Sequence, residues 1–69
     1  MCESNVYLVE GDEEVLLMED VGWLEIDGAT VLLKDIMGVE KTLQGRIVYI
    51  DFVRHHIVIE PAGSGQALA

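Results

Sequence analysis

The sequence predicts an all-β fold: a small antiparallel barrel of the SH3-like or Sm-like kind, with five to six short strands and a mobile C-terminal tail. Three observations predict it. Apolar and polar residues alternate in short runs, the period of a half-buried strand. Val, Ile, Tyr and Trp recur in those runs, and such side chains favour strands. Turn dipeptides and glycines punctuate them at roughly ten-residue intervals, as in small β-barrels.

The elements follow in order. Residues 4–10 read as a first strand, ended by Gly11-Asp12 and the acids Glu13 and Glu14. Val15 to Met18 is extended. Glu19-Asp20 ends or bulges that strand, and Val21 to Ile26 continues it. Alternation puts Val21, Trp23 and Glu25 on one face, Leu24 and Ile26 on the other. Asp27-Gly28 suits a hairpin turn. Ala29 to Lys34 is the next strand, and Asp35 to Val39, with Gly38, is a connector. Glu40 to Ile50 is long, and Gly45 near its middle marks a bulge or a barrel corner. There Ile47, Tyr49 and Asp51 are expected on one face, Val48 and Ile50 on the other. A tight turn near Asp51–Arg54 leads to a final strand, His55 to Glu60. Pro61 then stops the pattern. Residues 1–60 are expected to form one domain, and residues 61–69 a flexible tail.

Charge narrows the function. The chain has 69 residues and a formal net charge of −9, although 51% of it is apolar. Residues 1–33 hold nine acids and no base; residues 34–69 hold four of each. A nucleic-acid binder needs a basic stripe that releases counterions, so nucleic acid is not an expected partner. An anionic membrane surface would repel the acidic half. No apolar run reaches the ~18–20 residues of a membrane span, and the start lacks a signal-peptide pattern. The expectation is a soluble cytoplasmic protein. A domain of about 60 residues buries too little surface to be comfortably stable alone. The lone Cys2 excludes an internal disulfide, which leaves metal, a partner chain, or both.

Cys2 is the candidate with the most chemistry. If Met1 is removed, the Cys2 α-amine and thiolate can chelate one ion in a five-membered ring. These groups titrate near ~8 and ~8.5, so a metal displaces their protons readily at neutral pH. If Met1 is retained, its backbone amine, the Cys2 amide nitrogen and the Cys2 sulfur form two fused rings. Neither set fills four positions from one chain. Two chains on a two-fold axis supply two sulfurs and two nitrogens. Square-planar nitrogen and sulfur donors suit Ni(II) or Cu(II), and a tetrahedral site suits Zn(II).

Other residues promise less. His55 and His56 are adjacent, so on a regular strand their rings face opposite ways. An exposed turn residue followed by a half-buried strand residue is the expected reading. Asp12, Glu13 and Glu14 lack the spacing of a calcium loop and read as a solvated hairpin tip. Trp23 and Tyr49 are expected in the core or an interface. No nucleophile–base–acid set and no phosphate loop is present, so catalysis is not expected.

Met1-Cys2-Glu3-x-Asn5-Val6-Tyr7 is similar to the start of the CooT-like proteins. So are Leu17-Met18-Glu19-Asp20-Val21, the connector Asp35-Ile36-Met37-Gly38 before Lys41, and the closing Asp51…His56-Ile57-Val58. The likeness covers roughly residues 1–60. It implies a small β-rich homodimer that binds nickel and serves maturation of carbon monoxide dehydrogenase, with Cys2 as the metal-binding residue. The expected function is therefore a nickel(II)-binding accessory protein, one ion shared between the Cys2 residues of two chains. Its client would be a metalloenzyme such as that dehydrogenase or its maturation proteins. The alternative is a metal-independent adaptor for protein or RNA, working through Trp23, Tyr49 and an open strand edge.

Overall fold

The computed structural model describes residues 3–62. Five strands account for most of them: β1 (Ser4–Glu10), β2 (Glu13–Asp27), β3 (Thr30–Asp35), β4 (Glu40–Asp51) and β5 (His56–Pro61). They hydrogen-bond in chain order and close into a barrel. Each consecutive pair is antiparallel, whereas β1 and β5 close the ring in parallel. Parity dictates this. In an up-and-down ring of five, the first and last strands run the same way. The ring leaves no open strand edge among the described residues, so edge pairing drops out as a basis for an adaptor role.

The two long strands make the corners. The first part of β2 pairs with β1 and its last part with β3. Likewise β4 pairs first with β3, then with β5. In β2 the bend falls at Asp20, which has a φ of 57°, in line with the break expected at Glu19-Asp20. In β4 it begins at Gly45. A Cβ there would lie 2.6 Å from the Glu60 carbonyl oxygen and 3.1 Å from the Ile59 Cγ2, so only glycine lets the two backbones approach this closely.

Val6, Met18, Val21, Val31, Leu33, Ile57 and Ile59 form the buried core, with Leu8, Leu17, Leu24, Leu43 and Ile47 packed around them. Burying each such side chain contributes about 1.5–3 kcal/mol. Register shifts correct two expected faces. Val21 is buried while Trp23 is exposed, because the pairing with β3 slips between them. Ile47 packs against the core while Tyr49 points outward, because β4 slips between those two against β5. An extra residue at a bulge inverts the alternation that follows it.

The strand boundaries otherwise fall within a residue or two of expectation. The final strand runs on through Pro61, which pairs with Gly45, and the Ala62 amide donates to the Gln44 carbonyl at 2.8 Å. Residues 63–69, most of the expected tail, lie outside the described residues. Among the described residues no helix is long and apolar enough to cross a membrane.

Candidate functional site

Met1 and Cys2, the expected metal ligands, lie outside the described residues. What the structure shows is the end of the barrel at which β1 begins, two residues after Cys2. A chain of hydrogen bonds ties this end together. The Asn5 amide donates to the His55 carbonyl at 2.9 Å. The Asn5 Oδ1 accepts from the Asp20 amide at 3.3 Å. The Ile36 amide in turn donates to the Asp20 carbonyl at 2.9 Å. The β2 corner, the start of β1, and the loops after β3 and β4 therefore share one rim.

Both loops are fixed by the same device. Asp35 Oδ1 accepts from the amides of Met37 and Val39 at 2.9 and 2.8 Å. Asp51 Oδ1 accepts from Val53 and Arg54, each at 3.0 Å. A short aspartate side chain that mimics a backbone turn closes each loop. Gly38, with a φ of 90°, completes the first, and His55, with a φ of 56°, the second. The apolar tips Ile36, Met37, Val39, Phe52 and Val53 stand outward in solvent.

A second cluster lies on the outer face across β2, β1, β5 and β4. Tyr7 stacks on His56 with ring centroids 4.1 Å apart, and Tyr49 lies parallel to the same ring at 5.9 Å. Val58, flanked by Tyr7 and Tyr49 in register, is fully buried although it is absent from the barrel core. Glu14 reaches across from β2. Its Oε1 lies 3.0 Å from His56 Nε2, and its Oε2 accepts the Tyr49 hydroxyl at 3.0 Å. A carboxylate only accepts, so Nε2 carries the proton. Hydrogen bonds from His56 and then Tyr49 hold the Glu14 carboxyl below its usual range. The same bond to Glu14 pushes the Tyr49 phenol up.

The expected candidates thus separate. His55 is an exposed turn residue and His56 a half-buried strand residue, as anticipated. Asp12, Glu13 and Glu14 are exposed at the β1–β2 hairpin, as expected, and Glu14 is in addition bonded to His56 and Tyr49. Neither Trp23 nor Tyr49 joins the core. Trp23 lies 54% exposed on the β2–β3 face, where Lys34 Nζ sits 5.4 Å from its ring and its own indole N–H donates to Glu25 at 3.1 Å. Sequence reasoning missed the cluster around His56 and the apolar loop tips. Met37, Phe52 and Val53 were visible as apolar residues beside turn residues, a signal that would have found the tips.

These features define a class: a small five-stranded barrel with exposed apolar loop tips on the rim beside Ser4. Comparison with known proteins gives the family. A model described as "CO dehydrogenase accessory protein CooT" matches residues 1–60. The chain belongs to the CooT family of CO dehydrogenase accessory proteins. It is similar to a crystal structure of a chain assigned as CooT from Carboxydothermus hydrogenoformans, with a TM-score of 0.81 and 33% identity, covering 87% of this chain and 97% of that one. An uncharacterized protein of Methanothermobacter thermautotrophicus is 42% identical over 60 residues, 87% of this chain and 89% of its own length. One from Archaeoglobus fulgidus is 40% identical over 43 residues, 62% of this chain and 96% of its own.

Proposed function

We propose that the chain is a cytoplasmic nickel(II) carrier that acts as a homodimer and hands its ion to carbon monoxide dehydrogenase or to a protein that matures it. Membership of the CooT accessory family, matched from residue 1, carries this reading. The ion is cargo, held by Cys2 of both chains with the Met1 amine, or with the Cys2 amine where Met1 is removed. Among the described residues no group of three or more His, Cys, Asp and Glu side chains could hold a metal. The proposed donors, Met1 and Cys2, are supplied twice over by a second chain.

Physical chemistry supports the assignment in two ways. Thiolate and amine donors suit Ni(II), and a reducing compartment keeps the thiol free. The nine acids of residues 1–33 raise the local cation concentration and attract a basic client surface. As a carrier, the chain performs no catalysis of its own.

Equilibrium dialysis of wild type and Cys2→Ser tests the reading. The expected result is loss of tight nickel binding in the variant, with one ion per two chains in wild type by intact mass. Equal tight binding by both proteins would sink the site. The exposed Trp23 favours a second reading, a metal-independent interaction module. Partner binding that survives Cys2→Ser and is lost in Trp23→Ala would select it.

A further inference from the structure

Trp23 stands outside the barrel because the pairing of β2 with β3 slips between Val21 and Trp23. A bulge of this kind re-aims the side chain that follows it. Beyond the slip the alternation holds. Leu24 packs against the core, while Trp23, Glu25 and Asp27 face outward. A single exposed tryptophan needs no explanation in itself. The posture of this one does. Its indole N–H donates to Glu25 at 3.1 Å, and Lys34 Nζ sits over its ring, 5.4 Å from the centroid. The ring is held with a carboxylate at its edge and a cation over its π system.

We infer that this outer face of β2 and β3, centred on Trp23, docks an arginine-bearing segment of a partner protein, whose guanidinium takes the place of Lys34 over the indole. A nickel carrier and a metal-independent module each have to meet a protein, and the inference rests on that shared step of the two readings above.

Lys34 marks the chemistry of the occupant. Its ammonium contacts the Trp23 ring and lies 3.8 Å from the Glu40 carboxylate. That ion pair is long and exposed, so it holds Lys34 weakly. A guanidinium is the better guest. It is flat and less strongly hydrated, it stacks on an aromatic face, and its fork of donors fits a carboxylate. Tryptophan and arginine are also the residue types that carry most of the energy at protein contacts.

Charge selects the same partner. The face carries Glu25 and Asp27 on β2 and Glu40 on β4 against Lys34 alone, so it is net negative. Displacing Lys34 frees Glu40 as a second carboxylate for the incoming cation, beside Glu25. Phosphate backbones and anionic lipid are repelled by such a face, and a basic protein segment is drawn to it. Trp23 and its neighbours are already fixed in the strand ladder, so most of the ordering falls on the incoming segment.

The test uses the full, metal-free chain and a dye-labelled Gly-Arg-Gly-Arg-Gly peptide, read by anisotropy at low salt. Trp23 is the single tryptophan of the chain, so its fluorescence reports the contact directly in wild type. Wild type is expected to bind the peptide with a change in that fluorescence, and to bind the lysine version about threefold more weakly. Trp23→Ala should lose about tenfold in affinity. Lys34→Ala should gain severalfold, because no internal cation then competes for the ring. Glu25→Gln/Asp27→Asn should lose severalfold. Glu10→Gln/Glu13→Gln removes the same charge at the β1–β2 hairpin and should lose less than about twofold. Circular dichroism confirms that each variant is folded. No binding by wild type, equal losses in the two charge-matched pairs, weaker binding by Lys34→Ala, or an RNA oligomer that binds the chain and quenches Trp23 would each overturn the inference. Nickel dialysis of the same proteins keeps its fate apart from that of the carrier. Nickel held tightly by a wild type that binds no peptide sinks the surface alone. Peptide bound at Trp23 by a wild type that holds no nickel sinks the carrier alone.

Discussion

Glu14 and Tyr49 stand 35 residues apart in the chain, yet the Tyr49 hydroxyl donates to the Glu14 carboxylate at 3.0 Å. The bond links β2 to β4 over the two strands between them. His56 lies in that gap, bonded to the other oxygen of the same carboxylate. One side chain thus ties β2 to both β4 and β5 on the outer face.

This tie makes stability depend on pH at both extremes. Glu14 is held below the usual carboxylate range, so its contribution is in place above the unfolded value of about 4.3. It is lost as pH falls through the lower folded value. Tyr49 runs the other way: its neutral phenol is favoured, so its contribution is in place below about 10. It is lost as pH rises through the higher folded value. Glu14→Gln is expected to flatten both limbs. Denaturant midpoints from pH 2.5 to 11 check this, and unchanged limbs in the variant would refute it.

Gly45→Ala is expected to cost about 1–3 kcal/mol, because the added methyl meets the Glu60 backbone at 2.6 Å and neither strand can retreat without losing its ladder. Gly28→Ala is a useful contrast. Its Cβ meets nothing within 4 Å, so its cost comes from the φ of 61° rather than from crowding. Urea unfolding of both variants checks the two costs.

Asp35→Ala and Asp51→Ala each remove an acceptor shared by two backbone amides. At about 0.5–1.5 kcal/mol per bond, each variant is expected to lose about 1–3 kcal/mol. The exposed amides of Met37 and Val39, or of Val53 and Arg54, should exchange hydrogen faster while the core amides slow-exchange as before. Uniformly faster exchange would show global rather than loop loosening.

His55 occupies the left-handed region, with a φ of 56°. His55→Gly is expected to be neutral or slightly stabilising, and His55→Val to destabilise by about 1–2 kcal/mol, since a β-branched residue fits that region poorly. Nickel affinity should be the same in His55→Gly as in wild type, by dialysis. A large loss there would make His55 a ligand.

Much of the fold was legible because its punctuation is local. Asp27-Gly28 is a turn, and Gly28 takes the left-handed conformation that the dipeptide implies. Glu19-Asp20 was readable as a break. Illegible were the register slips, which flip Trp23 against Val21 and Tyr49 against Ile47. A bulge depends on the partner strand, and one strand's sequence does not contain its partner. The number of strands decides whether the ring closes in parallel, and five or six could not be separated by spacing alone. The cluster around His56 was hidden for the same reason. Its bond to Glu14 spans 42 residues, and without the closure of β1 on β5 nothing places Tyr7 over that ring. The bond chain through Asn5 and Asp20, which brings the loops after β3 and β4 to one rim, was equally hidden.

The parallel closure of β1 on β5 has a practical side for anyone handling the protein. Two strands that run the same way start at one end and finish at the other. Ala62 therefore lies at the pole opposite Ser4, beside Gln44. A dye or immobilising surface attached at Ala62 lies away from the rim of the loop tips and leaves that rim facing free solution.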